Sequence, residues 1–158
     1  MGCGLSPGMV TFISHSPEET AALGEQWGRG AAPGWILGLS GDLGAGKTQL
    51  VKGLARGLGV LARIQSPTFA LVHEYSQGRL ALAHLDLYRL ETPRQIHGAG
   101  LDEYFRNPPG VVVVEWCERW PDFNEPAATR PGPFRFRRVR IEHINDTDRR
   151  ITYEDSGG

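Results

Sequence analysis

Gly41-Asp-Leu-Gly44-Ala-Gly46-Lys47-Thr48 is the stretch of this 158-residue chain in which residue types and spacing together specify a chemistry. It matches G-x-x-x-x-G-K-[ST] in full, the pattern of a main-chain cradle for phosphate. Glycines accept positive φ and let the backbone come close to an anion. Successive amide N–H groups then form an anion nest, and the helix that follows turns its positive end toward the same charge. Lys47 adds a mobile point charge for the β- and γ-phosphates, and the Thr48 hydroxyl suits Mg2+. The composition allows roughly 0.003 accidental matches over all windows of the chain, so chance does not account for the motif. Of the 17 basic residues only Lys47 and Lys52 are lysines, and one of them fills the phosphate slot.

Such a cradle needs an acid at the carboxyl edge of a neighbouring strand, holding Mg2+ directly or through water. Two candidates stand out. Glu115 follows the β-branched run Val111–Val114, with glutamate where aspartate is commoner, and Asp86 lies in His84-Leu-Asp-Leu-Tyr-Arg89 near the end of a strand. Both are read as facing the nucleotide. Thr68, in Ser66-Pro-Thr-Phe69, is placed where switch loops sense a γ-phosphate. An ordinary proline turn entering a strand explains it equally well. The Asn-Lys-x-Asp signature of guanine readers is absent, which favours adenine and therefore ATP.

The elements that must hold these residues follow from periodicity and turn chemistry. Met9–Ile13 reads as a strand. Ser16, Pro17 and Glu19 supply N-cap, N1 and N3 of a capping box, opening a helix expected to run to about Trp27 and to end in the glycine-rich 28–34 segment. Trp35–Ser40 is an apolar strand leading into the cradle, and 47–57 carries helical spacing with Leu50, Val51 and Leu54. Thr68–Tyr75 and Leu80–Tyr88 read as two strands joined at Ser76-Gln-Gly, and Pro93–Phe105 as one or two short helices. Val111–Val114 is a buried strand. Phe134–His143 and Arg149–Glu154 form a hairpin around Asn145–Asp148. The order predicts an α/β fold: a single P-loop NTPase-like domain over 9–155, its mixed, mostly parallel sheet flanked by helices and closed by the C-terminal antiparallel hairpin. Residues 1–8 are expected to be disordered and 156–158 to form a tail.

Composition removes several function classes. A net charge of −1 gives the whole chain no attraction for nucleic acid or anionic lipid. Mean hydropathy is −0.31, and the longest strongly apolar run, Val111–Val114, falls far short of the ~20 residues of a spanning helix. Met1-Gly-Cys-Gly-Leu-Ser6 fits a myristoylation pattern, but a disordered start on a cytoplasmic protein is the simpler reading. Two cysteines without C-x-x-C support neither a disulfide framework nor a thiolate zinc site. The five histidines lack metal spacing and are read as packing or surface residues. Arg135, Arg137, Arg138 and Arg140, near Arg130 and interleaved with Phe134 and Phe136, are read as a charge-protected edge strand in preference to a nucleic-acid or partner surface.

Taken in order, GDLGAGKT, SPTF with His73-Glu-Tyr75, HLDLYR, LDEYF and VEW strongly resemble the TsaE (also called YjeE) family of small bacterial ATPases, over nearly the whole chain. The resemblance implies a P-loop α/β fold that binds Mg·ATP and hydrolyses it weakly, with dependence on partners. Those partners would be TsaD and TsaB, which place threonylcarbamoyl on adenosine in ANN-decoding tRNAs. The chain would reset that complex by ATP turnover without performing the transfer, meeting tRNA only through it. By motif position, Gly44, Ala45, Gly46, Lys47, Thr48 and Gln49 would wrap the phosphates, together with Gly41. Thr48 and Glu115 would hold Mg2+, and Asp86 would position or activate water beside the metal. Thr68 would belong to the switch, and Trp116 would be the aromatic next to the metal ligand. Adenine would be met by the first helix start, Ser16 to Thr20, and by Arg149. Cys117 replaces the usual proline after Glu-Trp, and Gln49 stands where a second threonine is common. Two other classes remain open: a small-molecule kinase with Arg135–Arg140 as its lid, and a nucleotide-gated binding module in which hydrolysis is not essential.

Overall fold

The computed structural model describes residues 9–41, 46–61, 63–64, 72–88, 90, 92–101, 103–106, 108–119 and 136–156. In chain order the elements are β1 (Met9–Ser14), α1 (Pro17–Gly30), β2 (Trp35–Gly41), α2 (Lys47–Gly57), β3 (Val72–Tyr75), β4 (Leu82–Asp86), α3 (Pro93–Gly98), α4 (Glu103–Arg106), β5 (Val111–Glu115), β6 (Phe136–His143) and β7 (Arg149–Ser156). A 3-10 turn, Cys117–Arg119, follows β5.

The described strands form one mixed sheet in the order β1-β7-β6-β2-β5-β4-β3. β4, β5, β2 and β6 run parallel, while β3, β7 and β1 are antiparallel to their neighbours. This places Ser14, Arg149, His143, Gly41, Glu115 and Asp86 along one edge of the sheet. The four valines of β5 are buried on both faces, as a central parallel strand requires. Leu37, Leu39, Leu82, Val111, Val113, Val139 and Ile141 pack on one face against α1 and α2. Ile36, Ala83, Leu85, Val112 and Val114 pack on the other against Leu87, Leu101 and Cys117.

Three sequence expectations are corrected. α1 continues past Trp27 to Gly30, because its glycines make a helix–helix contact and do not break the helix. A Cβ at Gly24 would lie 2.3 Å from the Leu50 carbonyl oxygen and one at Gly28 2.3 Å from that of Leu54. From α2, Gly53 and Gly57 would meet the oxygens of Ala21 and Glu25 at 1.8 and 2.2 Å. The two helices therefore touch backbone to backbone. Second, β6 is no edge strand: it lies between β2 and β7, and Arg137 and Arg138 are only half exposed. Third, β7 runs to Ser156 and not to Glu154. The 93–105 segment resolves into two short helices. Thr68–Leu71, Phe134 and Arg135, the parts of the expected strands nearest these elements, lie outside the described residues, as do 1–8.

Candidate functional site

The cradle begins where β2 runs out. Gly41 has φ +134°, and a Cβ there would lie 2.1 Å from the Ile141 carbonyl oxygen, so only glycine fits both the torsion and the approach of β6. Gly46, φ +107°, caps α2 in a left-handed conformation and brings no side chain to the first-turn N–H groups. That first turn also contains no acidic residue, so its amides and helix dipole face the loop. Lys47, the first helical residue, is buried and folds back to donate from Nζ to the Gly41 carbonyl oxygen at 2.8 Å. Its ammonium also lies 4.3 Å from the centroid of the Trp116 ring. Thr48 and Gln49 are half-buried in the same turn. Asp42 to Ala45 lie outside the described residues.

The two predicted acids meet as register partners at the ends of adjacent parallel strands, Asp86 on β4 against Glu115 on β5, with Leu39 of β2 opposite Glu115. Paired residues share a face, and this is the face that α2 covers. Glu115 is 4% exposed, a depth at which a carboxylate needs a partner. The partner is His84 Nε2, 2.5 Å from Oε2. Asp86 sits nearer the rim and accepts from the Tyr88 backbone N–H at 2.9 Å. Burial pushes its carboxyl above the usual carboxylate range. The Tyr88 N–H opposes that, and the neighbouring Glu115 charge adds to it. The chain leaves β5 through Trp116 at φ 61°, a left-handed conformation that a bulky residue rarely adopts. This turn lays the indole beside Lys47, with Tyr88 at 5.0 Å between ring centroids and the Arg119 guanidinium 5.6 Å from the indole.

At the far end of the same edge, Ser14 pairs with Arg149. Ser16 caps α1, accepting from the Glu19 N–H at 3.1 Å, while Glu19 reaches back to the His15 N–H at 3.0 Å. Thr20 is buried and its hydroxyl is 2.7 Å from that of Ser14. Arg149 donates to the carbonyl oxygens of Asn145 and Asp148 at 2.9 and 3.0 Å, tying the hairpin turn. His15 Nδ1 lies 3.0 Å from Asp148 Oδ1 and joins the two segments. The structure thus brings Gly41, Gly46–Gln49, Asp86 and Glu115 together, with Ser16, Thr20 and Arg149 farther along the edge. Thr68, Gly44 and Ala45 fall outside the described residues.

The residue missed from sequence is His84. Its signal was available: in His84-Leu-Asp86 a two-residue spacing on a strand puts the ring on the same face as the carboxylate. Among the described residues no three or more His, Cys, Asp or Glu side chains gather as a metal cage. Oxygen donors from Thr48, Glu115 and Asp86 fit magnesium, which takes one or two carboxylates and completes its shell with phosphate and water. No helix of the described residues is long and apolar enough to cross a membrane.

Glycines of positive φ at the end of a central parallel strand and at the start of the next helix, with acids at strand tips on the same edge, define an α/β protein of the phosphate-loop type. Comparison with known proteins agrees. Residues 14–151 match the family model "Threonylcarbamoyl adenosine biosynthesis protein TsaE". A tRNA threonylcarbamoyladenosine biosynthesis protein TsaE from Nostoc sp. is 48% identical over 116 residues, 72% of this chain and 71% of that one. The protein of that name from Bacillus subtilis is 40% identical over 138 residues, 87% and 80% of the two chains. The crystal structure of Bacillus subtilis YdiB superposes with a TM-score of 0.72 at 36% identity, covering 95% of this chain and 86% of that one. The chain belongs to the TsaE family, named for tRNA threonylcarbamoyladenosine biosynthesis.

Proposed function

We propose that this chain binds ATP with magnesium at the carboxyl edge of its sheet and serves tRNA threonylcarbamoyladenosine formation as an ATPase acting on TsaD and TsaB. The observation that carries this reading is Lys47, buried and turned back over Gly41 within one turn of a helix start and beside the Asp86–Glu115 pair. In the bound state the ammonium leaves the Gly41 carbonyl for phosphate oxygens, while the Trp116 face keeps the side chain extended. The amides of Gly44 to Gln49 and the α2 dipole carry the remaining negative charge. Magnesium supplies Lewis-acid charge when bound, and Thr48 and Glu115 are the residues that would hold it. Asp86, at the rim with its proton affinity raised, orients or accepts a proton from the attacking water. Thr68 completes the switch, and Ser16 to Thr20 with Arg149 border the adenine.

The kinase alternative requires a mobile arginine lid. Arg137 is held by Asp155 at 2.5 and 2.8 Å, and Arg140 Nε lies 3.6 Å from Glu142, which argues against that role. In the presence of TsaD and TsaB, Lys47→Ala and Glu115→Ala should each lower ATP turnover roughly 100-fold. Co-purification with the two partners should require ATP, and nucleoside analysis of tRNA from a deletion strain should show loss of the modification. Unchanged turnover in both variants ends the site assignment. Rescue of the strain by a variant that binds ATP without cleaving it would select the binding-module reading.

A further inference from the structure

We infer that His84 is the positioning residue for Glu115: its Nε2–H holds one carboxylate oxygen and leaves the other to face the magnesium-bound triphosphate. The inference rests on the reading of Glu115 as a magnesium ligand. It begins with where His84 lies. The ring is fully buried on β4, with Ala83 and Leu85 on either side along the strand and Val113 as its register partner on β5. On β4 and β5 every neighbouring position is apolar until the carboxyl edge is reached, while on the outer side His84 pairs in register with His73 of β3. A polar ring in such a place lowers stability unless its bonds are made. Here only half of them are: Nδ1 has no hydrogen-bond partner among the described residues, while Nε2 is 2.5 Å from Glu115 Oε2. A ring kept for packing alone has no reason to be polar, and one kept as a general polar anchor would have both nitrogens satisfied. Among the described residues its hydrogen bond is the one to Glu115.

The direction of that bond follows from the acceptor. A carboxylate that holds magnesium is ionised and can only accept, so Nε2 is the atom that carries the shared proton. The need for the bond follows from the length of the glutamate. Compared with the aspartate commoner at the end of such a strand, Glu115 has one more rotatable bond between backbone and carboxylate, and each free torsion is ordered at a cost in entropy. His84, two residues before Asp86 on the same face, removes that freedom in advance. Hydrogen bonds from protein groups to a metal-binding carboxylate commonly matter 10–100-fold in metal affinity.

The test is calorimetric titration of ATP onto the purified full chain over a series of Mg2+ concentrations. The chains compared are wild type, Glu115→Ala, His84→Phe and His84→Gln. Phenylalanine keeps the ring's bulk without a donor, and the glutamine amide reaches about as far as Nε2. The Mg2+ concentration giving half-maximal enhancement of ATP affinity should rise about tenfold in His84→Phe, and at least as far in Glu115→Ala. It should return to within about twofold of wild type in His84→Gln, and the affinity in EDTA should be the same in wild type and the two His84 variants. His84→Phe behaving as wild type while Glu115→Ala loses its magnesium response overturns the inference and leaves the metal assignment standing. Glu115→Ala behaving as wild type overturns both. Should His84→Phe not fold, the wild-type protein and His84→Gln decide. Long-range 1H–15N correlation should show the proton on Nε2, and an unprotonated Nε2, or a glutamine variant with a tenfold weaker magnesium response, overturns the inference.

Discussion

Arg137 enters a pocket of three rings, its guanidinium 4.8 Å from Trp27, 5.0 Å from Trp35 and 4.7 Å from Tyr153. It also makes a forked pair with Asp155 at 2.5 and 2.8 Å. A planar cation suits both contacts at once, since its faces meet the rings while its edge meets the carboxylate. Arg137→Ala should cost about 2 kcal/mol in urea denaturation, and Arg137→Lys should recover less than half of that, because an ammonium cannot make the fork. A lysine variant as stable as wild type would refute this account. The residue also shows what a sequence leaves open. Four arginines in and just after a pair of phenylalanines state charge but not direction, and from sequence they read as an exposed edge. Only the pairing of β6 between β2 and β7 turns Arg137 inward against these rings. Lys47 and Thr48 are legible from the spacing of the cradle, and Glu115 from the run of valines that precedes it. For His84 the sequence offers only a shared face with Asp86, since its bond to Glu115 depends on which strand lies beside β5.

At the level of elements, α1 and α2 are joined by Gly24 and Gly28 on one helix and Gly53 and Gly57 on the other, each at a spacing of four residues. Gly53→Ala puts a methyl 1.8 Å from the Ala21 carbonyl oxygen, so the helices must separate. The expected loss is about 3 kcal/mol or more, read from thermal or chemical denaturation. Gly30, in the last turn of α1, has nothing within 4 Å of an added Cβ, and Gly30→Ala should be neutral or stabilising by up to ~1 kcal/mol. Equal effects at the two positions would show that helix propensity, not contact, sets the cost. The start of α1 was readable from Ser16, Pro17 and Glu19. Its end was not, because glycine signals a stop in isolation and a close contact when a second glycine-bearing helix lies alongside.

Across the whole molecule, the two ends of the described chain are fastened by His15 and Asp148, 133 positions apart. The hydrogen bond that His15 donates to Asp148 raises the pKa of the histidine and lowers that of the aspartate, with Asn145 assisting. A raised histidine contributes fully below about 6.5 and loses its contribution as pH climbs through the raised value. A lowered aspartate contributes above about 4 and loses it as pH falls through the lowered value. The fastening is therefore strongest between about pH 4 and 6.5. Intrinsically corrected hydrogen exchange at Ile144 and Asn145, whose N–H groups bond to the Asp148 carbonyl, should quicken from pH 6 to pH 8 in wild type but not in His15→Ala. A flat wild-type profile would contradict it. The α/β class was readable from alternating patterns, whereas the placing of β6, β7 and β1 beyond β2 was not, since it rests on pairings between distant segments. The glycine seam has a last implication at this scale. Helices welded along their spines cannot slide, so the span from the tip of α1 to the tip of α2 is a fixed gauge. On the proposed reading of a nucleotide held between them, the distance from base to phosphate would be set by a single rigid caliper.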